Sequence, residues 1–240
     1  MGSPPPQKYP MHKCILIPAA GSGKRMGADR NKLLLPLLGK PILQWTIEAA
    51  LASDAINWIG VMAQPHDYDA FQVIFADIAK AQLLTKSLQL IQGGATRQQS
   101  VFNGLQALPP EAATVLIHDG ARCLITSDLL ERCDQAFSKC QGFIAAVPIK
   151  DTIKVVQQQT VTDTLNRDVL WAAQTPQGFN VAALKSAHEQ ALRHGWEVTD
   201  DAALFEKVGQ EVKIVTGEET NLKVTTPQDL LLAEFILSQR

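Results

Sequence analysis

Between residues 13 and 147, short apolar runs alternate with stretches whose apolar residues recur at helical spacing. That alternation restricts the fold more than any other feature of the chain. Lys13 to Pro18, Ile56 to Ala63, Leu88 to Gln92, Thr114 to Ile117 and Phe143 to Val147 read as strands. Pro41 to Ala52, about Pro65 to Lys80, Thr96 to Leu108 and Ser127 to about Lys139 read as the helices between them. Pro41 suits a first helical turn and Ser127 suits a cap. This rhythm predicts a mostly parallel sheet covered on both faces, a three-layer α/β Rossmann-like architecture. In such sheets a ligand sits outside the carboxyl ends of the strands. Three loops fall there: 18–32, 93–100 and 118–123.

The first of these loops has a composition of its own. It runs Pro18-Ala19-Ala20-Gly21-Ser22-Gly23-Lys24-Arg25-Met26-Gly27 and closes at Asn31-Lys32. Glycines 21, 23 and 27 let the backbone turn tightly and approach a ligand. Successive N–H groups in such a loop form an anion-binding concavity, and Lys24, Arg25 and Lys32 add cations. The reading is a cradle for a triphosphate. It is not a P-loop, because Pro18 stands where the first glycine belongs and Arg25 where Ser or Thr should follow Lys24. Nor is it the dinucleotide fingerprint, since the third glycine arrives one residue late. The pattern A-A-G-x-G-x-R-M-G with a following lysine resembles the signature loop of sugar-nucleotidyltransferases.

The other two loops suit the rest of a nucleotide. Gly93-Gly94-Ala95-Thr96-Arg97-Gln98-Gln99-Ser100 lets a flat base approach the backbone, with Ser100 able to read its edge and Thr96 able to cap the helix. In His118-Asp119-Gly120-Ala121-Arg122, Asp119 is placed for ribose hydroxyls or a magnesium ion, and Arg122 for substrate phosphate or Asp119 itself. His118 reads as a satisfied core histidine.

The rhythm breaks at residue 148. Val147 to Val156, a turn at Gln157-Gln158-Gln159, and Thr160 to Asn166 form a polar hairpin inserted into the α/β pattern. An isolated two-stranded hairpin is marginal in water, so a second copy of the chain is its expected support. Leu170 to Pro176 returns to the sheet, Val181 to His194 and Asp200 to Val208 are helices, Glu211 to Thr216 is a strand and Pro227 to Leu237 a last helix. Residues 221–229 place Lys223 in an extended segment just before the clean helix start at Thr226-Pro227.

Composition sets limits on partners. The 240 residues are 46% hydrophobic and 19% charged, enough for one large α/β domain over 13–240. A net charge of −2 gives no general drive toward nucleic acid or an anionic membrane. No apolar run reaches membrane-spanning length, and Cys14, Cys123, Cys133 and Cys140 show no paired spacing, which suits reduced thiols in the cytoplasm. Residues 1–12 are proline-rich without an apolar core, so they read as a disordered tail and not a signal peptide.

In chain order, the cradle with Lys32, GGxxRxxSV at 93–101, HDxAR at 118–122, DTIK at 151–154, LWAAQTPQ at 170–177 and NLKVTTPQDL at 221–230 together resemble the 2-C-methyl-D-erythritol 4-phosphate cytidylyltransferase family. The resemblance covers nearly everything after residue 12. It implies a nucleotidyltransferase, GT-A-like version of the fold, and CMP transfer from CTP to methylerythritol phosphate in the non-mevalonate isoprenoid pathway, with magnesium. By carry-over, Ala19, Ala20, Gly21, Gly23 and Arg25 cradle CTP, and Lys32, Arg25 and Lys223 are the catalytic cations. Gly94, Ala95 and Ser100 recognise cytosine, and Asp119 meets both substrates. Thr175 and Lys223 complete the site, with Arg122 beside substrate phosphate. Thr152 and Arg167 reach a partner's site through a dimerisation arm at about 148–170. Beyond Asp119 no metal ligand is assigned. The nearest alternative is a ribitol 5-phosphate cytidylyltransferase. A catalytically inactive nucleotide-binding module would not need Lys32 and Lys223 together. Gly120 and Cys123 depart from the family's usual Ala and Pro, and are expected to loosen that turn.

Overall fold

A computed structural model describes residues 13–21, 31–81, 83–84 and 86–240. The strands of the main sheet are β1 (Lys13–Pro18), β4 (Trp58–Ala63), β5 (Ser87–Gln92), β6 (Thr114–Ile117), β7 (Gly142–Pro148), β10 (Trp171–Asn180) and β11 (Lys213–Thr216). They lie in the order β11-β7-β10-β6-β1-β4-β5. Every neighbouring pair is parallel except those made by β10, which runs antiparallel to both β6 and β7.

Alternation along the strands divides the core into two layers. In β1, Ile15 and Ile17 face one apolar cluster and Cys14 and Leu16 face the other. The first cluster is closed by α1 (Ile42–Ala52), α2 (Tyr68–Lys80), α4 (Ser127–Ala136) and α7 (Pro227–Ser238). The second is closed by α3 (Arg97–Gln106), α5 (Val181–His194) and α6 (Asp201–Lys207). The three-layer expectation is therefore met. Most of these helices start on a side chain that accepts an orphan backbone N–H: Thr96, Thr126, Asn180, Asp200 and Thr226. Thr226 adds a reciprocal bond from its backbone to Asp229, which fixes the start of α7.

Several boundaries differ from the sequence reading. Thr126, not Ser127, caps α4, since its hydroxyl is the one aligned with Leu129 N–H. The turn before α1 holds a tiny hairpin, β2 (Pro36–Leu37) and β3 (Lys40–Pro41), through Leu38 and Gly39 at φ 48° and 80°. A Leu-Gly turn lacks the Asn or Asp that marks such hairpins in sequence. The inserted arm pairs as β8 (Lys154–Gln157) and β9 (Thr160–Thr164), and toward its base Leu165 N–H donates to Ile153 O and Ile149 N–H to Leu170 O, both at 3.0 Å. Finally, β10 continues to Asn180, past the polar run Gln174-Thr175-Pro176, where its register with β7 shifts between Ala173 and Gln177. The tail at 1–12 lies outside the described residues.

Candidate active site

Because β1, β4, β5 and β6 are parallel, their carboxyl ends share one edge, and a cleft of about 630 Å³ opens there. The loops after all four strands line it, joined by Lys223 and Thr225. This is the edge the parallel rhythm predicts.

Ala19, Ala20 and Gly21 form one wall. Ala19 N–H donates to Met62 O at 2.8 Å, which ties the start of the loop to β4. Asn31 ties the far end: its amide donates to Ala19 O and to Asp67 Oδ2, both at 2.8 Å, while its own oxygen accepts from Leu33 N–H. Lys32 follows immediately and donates to Val224 O at 2.8 Å. Gly23 and Arg25 lie outside the described residues.

A second wall is the turn before α3, where Gly93 lies close against Ala20. Gly94 packs so tightly on Gln99 that an added Cβ would meet its Cγ at 2.3 Å. The Ser100 hydroxyl accepts from Gly94 N–H at 3.0 Å and donates its proton to Thr96 O at 2.8 Å. What Ser100 has left to offer the cleft is a lone pair, so it is an acceptor. Gln64, from the end of β4, braces the turn by donating to Gly94 O at 2.7 Å.

Asp119 lines the cleft just after β6. Lys223 Nζ lies 2.6 Å from its Oδ2 and Arg97 Nε 3.4 Å from its Oδ1. Burial alone would raise its pKa, but Arg97, Lys223 and Arg122 outweigh burial and hold it well below the usual carboxylate range. Behind it runs a chain of hydrogen bonds. Asp119 N–H donates to Thr175 Oγ1 at 3.0 Å, and Thr175 Oγ1 meets His118 Nδ1 at 3.0 Å. His118 Nε2 meets Arg122 O at 3.1 Å. A carbonyl can only accept, so Nε2 carries the proton and Nδ1 accepts from Thr175. Every member is satisfied with the imidazole neutral, as expected for a core histidine. Thr175 reaches this position from the irregularity in β10, a common use of a register shift beside a site. It is buried and braces Asp119 from behind without lining the cleft.

Arg122 likewise does not line the cleft. It donates to Asn221 O at 2.6 Å and Ala173 O at 3.4 Å, bracing backbone on both sides of the 221–225 segment's anchor. Asn221, fully buried, donates to Thr175 O, and Val224 N–H donates to Ala121 O. Lys223 is thus fixed from both sides, as its place before a capped helix suggests. The expected loosening at Gly120 and Cys123 is not found. Gly120 O accepts from Thr46 Oγ1 at 2.9 Å, and Cys123 is buried. A Cβ on Gly120 would lie 2.9 Å from Leu33 Cδ1, so here the turn fills its space by close backbone packing.

Thr152 and Arg167 are exposed on the arm, and neither lines the cleft. Arg167 donates to Lys150 O at 3.1 Å. Conversely, Asn31, Gln64, His66, Arg97 and Thr225 line the cleft without having been assigned roles from sequence. Gln64 and His66 follow directly after β4, a position that could have pointed to them.

Comparison with known proteins agrees with this geometry. Residues 13–239 match the 2-C-methyl-D-erythritol 4-phosphate cytidylyltransferase family. A relative of that name from Synechocystis is 63% identical over 227 residues, covering 94% of this chain and 97% of its own. One from Thermosynechococcus vestitus is 61% identical, covering 94% and 95%. Among solved structures, the 4-diphosphocytidyl-2C-methyl-D-erythritol synthase of Anaerococcus prevotii aligns at TM-score 0.83 and 32% identity, over 96% of this chain and 99% of that one. The 2-C-methyl-D-erythritol 4-phosphate cytidylyltransferase of Thermus thermophilus aligns at TM-score 0.78 and 32% identity, over 95% and 100%.

Proposed function

The chain belongs to the 2-C-methyl-D-erythritol 4-phosphate cytidylyltransferase family, and from that premise we propose how its cleft carries out the reaction. The enzyme transfers CMP from CTP to 2-C-methyl-D-erythritol 4-phosphate, giving 4-diphosphocytidyl-2-C-methyl-D-erythritol and pyrophosphate, in isoprenoid precursor synthesis. The observation that carries the reading is one cleft lined by the glycine turn ending at Ser100, the carboxylate Asp119 and the lysines 32 and 223.

The methylerythritol phosphate oxygen attacks the α-phosphorus of CTP, and the bond from that phosphorus to the oxygen bridging to the β-phosphate breaks. The attacking group is already an anion, so no protein base is required. Catalysis rests on placing two anions together and neutralising charge as it develops. Lys32 and Lys223 are point charges suited to phosphate oxygens, with Arg25 of the cradle as a third cation. Asp119 orients Lys223 through their 2.6 Å contact. The remaining lone pair on Ser100 accepts from an amino group, which cytosine has and uracil lacks.

Asp119 is the sole carboxylate lining the cleft among the described residues, and they contain no cluster of metal-ligating side chains. One carboxylate, both of whose oxygens keep a lone pair, fits a magnesium ion carried in on phosphate oxygens and waters. Bound there, magnesium would neutralise charge on the phosphates.

The arm supports a homodimer. Its two strands are largely solvent-exposed, and Val156, Val161, Val169 and Trp171 leave apolar surface uncovered on it and its base. Two copies would bury this surface isologously and bring Thr152 and Arg167 to the neighbour's cleft. Free thiols at all four cysteines support a cytoplasmic setting, and among the described residues no helix is long and apolar enough to cross a membrane.

The test is pyrophosphate release. CTP with methylerythritol phosphate should turn over; UTP, ATP and GTP, or CTP with ribitol 5-phosphate, should not compete. Equal use of UTP, or of ribitol 5-phosphate, would refute the assignment. Replacing Ser100 by Ala should lower discrimination against UTP.

A further inference from the structure

Arg97 is shared between two carboxylates, and unequally. Its Nη1 lies 2.7 Å from Asp201 Oδ2, while its Nε is 3.4 Å from Asp119 Oδ1. Asp201 is 1% exposed and does not line the cleft. It sits in the first turn of α6, where the helix dipole favours an anion, and its second oxygen meets His188 Nε2 at 3.2 Å. The His188 ring is stacked on Phe102 at 5.6 Å between centroids. The start of α6 is itself clamped to β10, because Gln177 donates to Asp200 Oδ2 at 2.8 Å and accepts from Ala202 N–H. Asp201 therefore presents its charge from a fixed mount.

At the other end of this line, Asp119 holds Lys223 at 2.6 Å. Lys223, Asp119, Arg97 and Asp201 alternate in sign across a mostly buried path. Buried charges attract strongly, so a guanidinium released from one carboxylate closes on the other. The Arg97 backbone cannot move away, since the residue opens α3 directly after the cap Thr96, on the turn that forms the base wall. Only the direction of its side chain remains to be set.

Resting on the proposed reaction, we propose that Asp201 is a positioning residue for nucleotidyl transfer. By holding Arg97 it keeps that cation from capturing Asp119, and so leaves the Asp119 carboxylate to orient Lys223 toward the phosphates. The role is electrostatic and passes entirely through Arg97.

Asp201→Asn keeps the shape and removes the charge. Arg97 then turns to Asp119, and kcat should fall about tenfold or more, while CTP affinity measured without the second substrate stays within about threefold, because Gly94 and Ser100 keep the hydrogen bonds that shape the base wall. A purely structural role would lower affinity and melting temperature together. The decisive comparison is made in an Arg97→Met background, whose own loss is measured alone because Arg97 lines the cleft. Adding Asp201→Asn to that background should change kcat by less than about threefold, since Asp201 acts only through Arg97. A further loss of about tenfold there, or a CTP affinity that falls in step with kcat in Asp201→Asn, overturns the proposal. Where Asp201→Asn does not fold by itself, the comparison in the Arg97→Met background decides by the same threefold criterion. Wild-type turnover of CTP with methylerythritol phosphate is measured first, so a failure of the assigned reaction is seen separately.

Discussion

Acidification should weaken this fold through His118 before its carboxylates protonate. The imidazole is completely buried. Burial is the main cause that pushes its pKa down from 6.5 to about 4; the backbone contact with Arg122 and the charge of Asp119 oppose that, and the Arg122 charge adds to it. The folded-state value lies below that of the unfolded chain, so the unfolded chain takes up the proton first and stability rises with pH. Above about pH 6.5 both states hold neutral imidazole and this group adds no pH dependence. Between about 6.5 and 4 each pH unit costs about 1.4 kcal/mol, and below about 4 the loss is complete. From about pH 7.5 to about pH 5 the loss is about 2 kcal/mol, against a total stability of roughly 5–15 kcal/mol for a typical domain. The assay is denaturant unfolding followed by tryptophan fluorescence at the two pH values. His118→Gln is the control, since an amide can accept from Thr175 and donate to Arg122 O without titrating. The wild type should lose about 2 kcal/mol more than the variant over that interval. Equal losses in both proteins, or a His118 resonance titrating near its ordinary value, would refute the buried neutral imidazole.

Two further outcomes test the site. Lys32→Ala should lower kcat by about 10²–10³ with an unchanged melting curve, since Asn31 still closes the loop; turnover at half the wild-type rate at saturating CTP would remove Lys32 from the chemistry. Mixing Lys32→Ala chains with Arg167→Ala chains, each inactive alone, should restore turnover, because a heterodimer with shared sites contains one intact site. No recovery despite demonstrated subunit exchange would assign Arg167 to its own cleft.

The family and the walls of the cleft were legible in the chain because each is encoded within a few neighbouring residues. Cys14–Ile17 followed by glycine-rich loop, Gly93-Gly94 before a capped helix, and Thr226-Pro227 after Lys223 are local statements about backbone conformation. Parallel crossovers then bring such loops to one edge whatever the details of packing. What the tertiary structure alone decided is which side chains meet. Thr175 and Arg122 have the right chemistry to touch phosphate, yet the shifted register of β10 turns one toward His118, and the close-packed turn at Gly120 sends the other onto Asn221 and Ala173. Arg97 and Asp201 stand 104 residues apart, and neither carries a mark in sequence that it belongs to a line of charge ending on Asp119. Such pairings depend on strand register and on how a helix start is clamped to a distant strand, and these are set by the whole core at once. Periodicity and turn chemistry reach only as far as the next turn of backbone, so the loops could be placed from the sequence while the charges behind them could not.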